Sequence, residues 1–335
     1  MYTEFFGLRD KPFEITPDPK FLYLSENHKE ALAHLTYAVQ ERKGFTVITG
    51  EVGTGKTTLI QTLLSKLNGS TRTAYLFNPV LESTDFLHYI CEDLGLRVKK
   101  ISKGQYIALL HRFLMNCYSQ NENVVLIIDE AQNLDPKLLE EVRLLTNLET
   151  PKGKLLQVIL MGQPELDHVL NRPQFRQLKQ RVSLRYRLTP LSRENTSFYI
   201  KRRLILAGAV EPNLFTPKAL NEIYRYSKGI PRLINIVCDN ALLTGFATDQ
   251  KVIGNKIIRE VIGNLEGLDF KKKRKRHYLY FGIFLGCLCL GIFLVPWKEL
   301  FLDLKWGVVN GAQIFPGLLE KLYQEFWRKI FGLFP

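Results

Sequence analysis

Two hydrophobic periods divide this chain. As far as residue 188, short apolar runs alternate with stretches in which apolar residues recur every three or four positions. The runs fall at 45–49, 73–78, 124–128, 155–161 and 182–188. The run at 124–128, apolar at every position, suits a strand covered on both faces, and strands alternating with helices predict a parallel sheet between helical layers. Beyond residue 188 the pattern is wholly helical, over 193–206, 217–226, 232–246 and 256–265. A small all-α domain is therefore expected after the α/β domain.

The pattern changes again at residue 271. Lys271, Lys272, Lys273, Arg274, Lys275 and Arg276 are followed by twenty residues without a charge, from Tyr278 to Trp297. At the helical rise, twenty residues span about 30 Å, the thickness of a hydrocarbon core. Eleven of them are Leu, Ile, Phe or Val, together favouring insertion by about 3 to 7 kcal/mol before Gly, Pro and Tyr offset part of it. A transmembrane helix fits better than a buried core helix, and the basic run is its positive-inside flank, which puts the N-terminal body in the cytoplasm. Gly282 and Gly286 have the spacing that lets two spans pack closely. Residues 298–335 are too few for an unstapled domain. Within them Leu318, Leu319, Leu322, Phe326, Ile330 and Phe331 share a helical face, which fits a helix lying in the membrane surface or docked on a partner; Trp327 and its aromatic neighbours favour the surface.

Composition narrows the reading. The chain has 335 residues, 46% hydrophobic and 24% charged, too apolar for a disordered protein. Its net charge of +13 would suggest nucleic acid, but six of those charges sit in the juxtamembrane run and the rest form no DNA-reading motif. No specific nucleic-acid partner is expected. Residues 1–10 lack a basic stretch followed by an apolar core, so no cleaved signal is expected. The five cysteines (Cys91, Cys117, Cys238, Cys287, Cys289) show no C-x-x-C spacing, and neither a disulfide framework nor a zinc site is implied.

The chemistry lies at the ends of two predicted strands. The strand at 45–49 runs into Gly50, Glu51, Val52, Gly53, Thr54, Gly55, Lys56, Thr57 and Thr58, followed by a helical pattern. This is G-x-x-x-x-G-K-T between a strand and a helix, a phosphate-binding loop for ATP. Its backbone N–H groups surround phosphate oxygens, Lys56 reaches the outer phosphates, and the Thr57 hydroxyl ligates Mg²⁺. The strand at 124–128 ends in Asp129 and Glu130. Either they are a surface acidic pair, or Asp129 holds the Mg²⁺ shell while Glu130 deprotonates the attacking water; the upstream phosphate loop favours the second reading.

With these motifs in view, residues 1 to about 268 resemble the AAA+ ATPases. The resemblance implies that Gln163 stands at the sensor-1 position, where many relatives have Asn. It also implies that Arg181, at the start of the 182–188 run, is an arginine finger acting on a neighbour's nucleotide, with Arg176 as the alternative. Arg232, in Gly229-Ile-Pro-Arg232, would be the sensor-2 arginine reaching the nucleotide from the lid; for each arginine the alternative is an ordinary solvated ion pair. More narrowly, the chain resembles the general secretion pathway protein A (ExeA/GspA-like) family and its relatives beside exosortase and exopolysaccharide-export systems. Tyr2, Phe5-Phe6-Gly7-Leu8-Arg9, Lys11-Pro12-Phe13, Thr16-Pro17-Asp18-Pro19, Tyr23-Leu24-Ser25, His28 and Ala31-Leu32 carry that likeness, with Asp129-Glu130-Ala131-Gln132-Asn133-Leu134 and Gly162-Gln163-Pro164-Glu165-Leu166. The family relation places the adenine near Leu24 and His28, although His28 also fits a capping role.

The expected architecture is therefore an adenine-bordering helical segment (1–44), a P-loop α/β domain (45–189), a helical lid (190–268), a basic juxtamembrane segment (269–277), the span (278–297) and a short periplasmic tail (298–335). Family members in secretion typically carry a peptidoglycan-binding domain beyond the span, and residues 298–335 are too few to hold one. The expected function is an inner-membrane, single-pass ATPase working as a homo-oligomeric ring or partial ring, which couples ATP hydrolysis to an envelope secretion system. A polysaccharide-export role is the alternative, and a DNA-binding transposition-type regulator a more distant one.

Overall fold

The computed structural model describes residues 1–267, except 17–20, 22, 68, 78 and 152, and beyond them Gln324 alone. The basic run, the predicted span and the predicted amphipathic tail helix lie outside the described residues. Among the described residues, no helix is long and apolar enough to cross a membrane.

The apolar runs form one parallel sheet. Its strands are β1 (Phe45–Gly50), β2 (Thr71–Leu76), β3 (Asn123–Ile128), β6 (Gln157–Gly162) and β7 (Leu184–Leu188), in the order β2-β3-β6-β1-β7. A small hairpin, β4 (Glu149–Thr150) and β5 (Gly153–Lys154), precedes β6. Every residue of β1 and β6 is buried, as expected of central strands covered on both sides. The two-residue period of a strand sorts their side chains between two cores. Val124, Leu126 and Ile128 of β3 face one layer with Val158 and Leu160 of β6, packed by α4 (Ser83–Asp93), α5 (Lys103–Ser119) and α6 (Pro136–Leu145). Val125 and Ile127 face the other with Ile159 and Met161, beneath α2 (Glu26–Gln40) and α3 (Lys56–Lys66).

Three strands start two residues away from the pattern-based expectation. β2 starts two residues early because Thr71 and Arg72 pair in register with Asn123 and Val124, a cross-strand effect invisible in local hydropathy. β6 starts two residues late, with the Leu155 N–H bonded to Leu148 O at the base of the hairpin rather than in the sheet. β7 starts at Leu184 because a helix runs to Arg181 and Val182 and Ser183 only link the two: α8 (Arg176–Arg181) follows the short α7 (Glu165–Leu170) and a 3-10 turn at Pro173–Phe175. Phe175 and Leu178 bury themselves in the first core and hold that helix. Arg181 is thus the last residue of a helix, and the strand start expected there is corrected.

The lid is a bundle of α9 (Arg193–Leu206), α10 (Pro217–Ser227), α11 (Pro231–Ala247) and α12 (Asn255–Leu265). Three of the four begin at a clear signal: Ser192 and Thr216 accept backbone N–H groups at their helix starts, and Pro217 and Pro231 occupy first turns. The lid core is completed by the start of the chain. Tyr2, in the short helix α1 (Tyr2–Phe5), joins Phe6, Leu8, Phe13 and Phe21 in packing among the lid helices, and the Tyr2 hydroxyl donates to Asp239. The first 44 residues thus serve two cores, a strap bound into the lid and a helix, α2, laid on the sheet.

Candidate functional site

In a parallel sheet with crossover helices, ligands bind beyond the carboxyl ends of the strands. The turns after β1 and β3 line one cleft of about 460 Å³, and Gln163, just past β6, reaches Glu130 at its edge. The phosphate loop leaves β1 at Gly50 and enters α3 through Gly55, whose φ of 98° is left-handed. Gly53, with φ of 79°, has a second reason to be glycine: a Cβ there would lie 2.5 Å from the Cβ of Arg232. The lid and the loop touch backbone to backbone at that point, Arg232 N–H donating to Gly53 O at 3.3 Å.

Lys56 is buried, and its ammonium donates to the carbonyls of Gly50 (2.8 Å) and Glu51 (3.2 Å). Burial lowers its pKa, opposed by the charges of Glu130, Asp129, Glu51 and Glu165. An ammonium held by neutral carbonyls beside carboxylates is set to exchange those partners for phosphate oxygens. Glu51 and Val52 are exposed on the loop, and Thr58 stands in the first turn of α3.

Asp129 is buried just past β3. Its Oδ1 accepts the Glu130 N–H at 2.8 Å, and its Oδ2 accepts the hydroxyls of Thr57 (3.2 Å) and Tyr75 (3.0 Å). Burial, with Asp129 beside it, pushes the Tyr75 hydroxyl pKa well up, so it stays a donor. Among the described residues no group of three or more His, Cys, Asp or Glu converges on a metal-sized site. One hydroxyl and one carboxylate suit Mg²⁺, which takes few protein oxygens and keeps waters and substrate phosphates as its other ligands. Thr57 and Asp129 would hold it, where it would neutralise phosphate charge.

Glu130 follows with a left-handed backbone, φ 50° and ψ 37°. Its Oε2 accepts from Gln163 Nε2 at 3.2 Å and from Gln132 Nε2 at 2.6 Å. Gln163 therefore reaches the acid expected to activate water. His28 is buried: its Nδ1 meets Ser25 Oγ at 2.6 Å and its Nε2 meets Thr54 O at 2.9 Å. A carbonyl only accepts, so Nε2 carries the proton and Nδ1 accepts from the serine. Burial, the larger effect, lowers the His28 pKa against the opposing hydrogen bond to Thr54. His28 lines the cleft, and its backbone N–H meets the Ser25 cap of α2.

The far wall of the cleft is built from the strap and the lid. Glu14, Thr16 and Phe21 line it with Tyr199, Arg203 and Asn235. Arg203 is buried; its guanidinium donates to Pro12 O, to Glu14 O (3.4 Å) and to the Tyr199 hydroxyl (2.7 Å), and lies over the Phe21 ring. Tyr199 donates to Asn235, which donates to Glu14 O. Sequence reasoning missed Tyr75, Gln132, Tyr199, Arg203 and Asn235. The only local signal for Arg203 was a cation between Tyr199 and Leu204 on the apolar face of α9; for Gln132 it was the D-E-A-Q run.

The two finger candidates lie away from this cleft. Arg181 is half-buried and donates to the carbonyl (3.2 Å) and hydroxyl (3.3 Å) of Thr146, at the end of α6, while Arg176 is exposed. Neither lines the cleft of its own chain.

Residues 39–170 match the family model described as an AAA domain. Over 248 residues, 74% of this chain, the sequence is 50% identical to general secretion pathway protein A of Aeromonas hydrophila; the chain covers 45% of that protein, about half its length. Among solved structures the fold is similar to Cdc6p of Pyrobaculum aerophilum (TM-score 0.59, 20% identity, 75% of this chain and 70% of that one). It is also similar to the ORC2 protein of Aeropyrum pernix in its ADPNP-ADP complexes (TM-score 0.56, 18% identity, 76% and 71%), and to Drosophila ORC bound to DNA (TM-score 0.58, 17% identity, 89% and 82%). At these identities the likeness is one of fold. The convergence of Lys56, Thr57, Asp129 and Glu130 on one cleft, the AAA domain and half-identity to a secretion-pathway protein place this chain in the general secretion pathway protein A-like family of AAA+ proteins.

Proposed function

We propose that this protein is an inner-membrane-anchored ATPase that couples ATP binding and hydrolysis to the assembly or operation of an envelope export system. The observation that carries the hydrolytic reading is the contact of Thr57 with Asp129, beside Glu130, at the carboxyl ends of β1 and β3. The loop amides and Lys56 bind the phosphates, and Thr57 and Asp129 hold Mg²⁺. Glu130 takes the proton of a water attacking the γ-phosphorus as the β–γ anhydride bond breaks; Gln163 orients that water or the γ-phosphate. Arg232 closes the lid on the nucleotide, and the strap and Arg203 wall border the base.

Membrane anchoring is supported by the twenty uncharged residues from Tyr278 to Trp297 and the basic run before them. Oligomerisation is supported by the family. In a ring or partial ring, Arg181 or Arg176 reaches a neighbour's nucleotide; the exposed Arg176 needs no internal bond broken, whereas Arg181 must leave Thr146. Envelope partners are supported by the relation to general secretion pathway protein A.

Lys56→Ala is expected to abolish nucleotide binding, and Glu130→Gln to bind ATP without turning it over. Normal hydrolysis by purified Glu130→Gln would overturn the mechanism. The same variant, trapped with ATP in its native membrane and crosslinked, tests the cellular role. Secretion components among its partners support protein export, polysaccharide-export or exosortase proteins shift the enzyme to polymer traffic, and DNA with recombination proteins overturns the envelope reading.

A further inference from the structure

The turn after β3 places a side chain that the hydrolytic reading does not use. Glu130 takes a left-handed backbone, a conformation that residues with a Cβ rarely adopt. It thereby opens the 3-10 turn Ala131–Asn133 and brings Gln132 over its own carboxylate. Gln132 Nε2 donates to Glu130 Oε2 at 2.6 Å, while Gln132 Oε1 accepts the backbone N–H of Gln163 at 2.9 Å. Only one orientation of this amide works, because a carboxylate only accepts and a backbone N–H only donates.

The arrangement joins two ends of the sheet. Gln132 bridges the turn after β3 to the turn after β6, and the Gln163 side chain returns to Glu130 Oε2 at 3.2 Å. Two amide donors therefore converge on one carboxylate oxygen. Among the described residues the other oxygen, Oε1, has no protein donor, and Glu130 lines the cleft. Space for the bridge comes from the end of β6: a Cβ on Gly162 would lie 2.7 Å from Gln132 Oε1 and 3.1 Å from Leu166 Cδ2. The site needs a donor and an acceptor at fixed separation. Glutamate offers only acceptors, leucine offers neither, and asparagine is one methylene short.

We propose that Gln132 is a positioning residue: it braces the Glu130 carboxylate with Oε2 anchored and Oε1 turned to the attacking water, and couples it to Gln163 so that the two act as one unit. This rests on the hydrolytic reading above. The left-handed turn persists because the two hydrogen bonds of the brace offset its conformational cost. Gln132 touches neither nucleotide nor water in this scheme, so its loss separates turnover from binding.

The test uses the full-length protein in detergent or nanodiscs, with kcat, KM and ATP affinity measured for the unaltered chain, Gln132→Leu, Gly162→Ala, Gln163→Leu and the double variant Gln132→Leu/Gln163→Leu. Gln132→Leu is expected to lower kcat about 10- to 100-fold, the scale of a misplaced catalytic group, with ATP affinity within about threefold. Gly162→Ala, whose methyl displaces the carboxamide, should reproduce that split. The double variant should lose little more than the worse single one, because both side chains hold the same carboxylate. If Gln132→Leu does not fold, Gly162→Ala, which leaves Gln132 intact, decides. Hydrolysis by the unaltered protein with kcat unchanged in the decisive variant would overturn the brace alone, as would equal losses of affinity and turnover. No hydrolysis by the unaltered protein would overturn the ATPase reading and the brace with it.

Discussion

Replacing Arg203 with methionine tests how the strap, the lid and the nucleotide cleft are joined. Methionine keeps most of the apolar stem and removes the guanidinium. The lost contacts are the bonds to Pro12 O, Glu14 O and the Tyr199 hydroxyl, and the stacking on Phe21. Tyr199 keeps Asn235, so its hydroxyl remains satisfied. The two strap carbonyls are less well placed: Pro12 O loses its guanidinium donor, and Glu14 O keeps only a long bond of 3.4 Å from Asn235. Hydrogen bonds to a charged group contribute about 1.5–3 kcal/mol each, and a partly desolvated cation–π contact about 1 kcal/mol. Against this, the variant no longer buries a charge whose hydrogen-bond partners, two backbone carbonyls and a hydroxyl, are neutral, which returns several kcal/mol. A net loss of about 3 kcal/mol is the central expectation, or roughly 6–12 °C in Tm for a unit of this size. Because strap and lid both line the cleft, the same loss caps the fall in ATP affinity at about 150-fold. Thermal melts with and without ATP, beside titration of a fluorescent ATP analogue, give both numbers. Arg203→Met melting within 1 °C of the unaltered protein and binding ATP within threefold would refute the latch.

Three further outcomes follow from the same geometry. His28 is buried with a lowered pKa, so the unfolded chain binds its proton more readily than the native one; its stabilising contribution is whole above the ordinary value of 6.5 and is lost as pH falls below it. Denaturant melts from pH 7.5 to 5.5 should accordingly show a smaller fall in stability for His28→Asn than for the unaltered protein, and equal slopes would refute this. Tyr75→Phe removes one of the two hydroxyl donors on Asp129 Oδ2 and should raise the Mg²⁺ concentration for half-maximal hydrolysis about three- to tenfold, leaving nucleotide binding in EDTA unchanged. Gly53→Ala puts a Cβ 2.5 Å from Arg232 Cβ at a φ of 79°, so it should weaken ATP binding at least tenfold by parting loop from lid, measured by the same titration, with stability falling by about 1–3 kcal/mol.

Much of the chain was legible because local pattern and local chemistry agree. Each of the five runs became a strand: β1, β3 and β6, apolar on both faces, took the middle of the covered sheet, and the half-exposed β2 and β7 took its edges. The lid helices fall where the 3.6-residue period and the Ser192, Thr216, Pro217 and Pro231 signals put them. The phosphate loop was readable because strand, loop and helix are consecutive in sequence. The misplaced boundaries each had a partner elsewhere: Arg72 is in β2 because Val124 is opposite, and Arg181 is helical because Phe175 and Leu178 found the first core.

The sequence alone determined a strand-loop-helix with the phosphate-loop pattern, an acid pair ending a buried strand, a helical lid, and a basic run before twenty uncharged residues. These depend on neighbours within a few residues or on composition, which local physical chemistry can read. Tertiary structure alone decided that Asp129 meets Thr57 across 72 positions, that the strap enters the lid core, that Arg203 is buried at the cleft wall, and that Gln132 bridges Glu130 to Gln163. Those contacts follow from the strand order β2-β3-β6-β1-β7 and from how the lid and strap pack together. The energy that selects such an arrangement is shared among many distant side chains, so no single segment carries its signature.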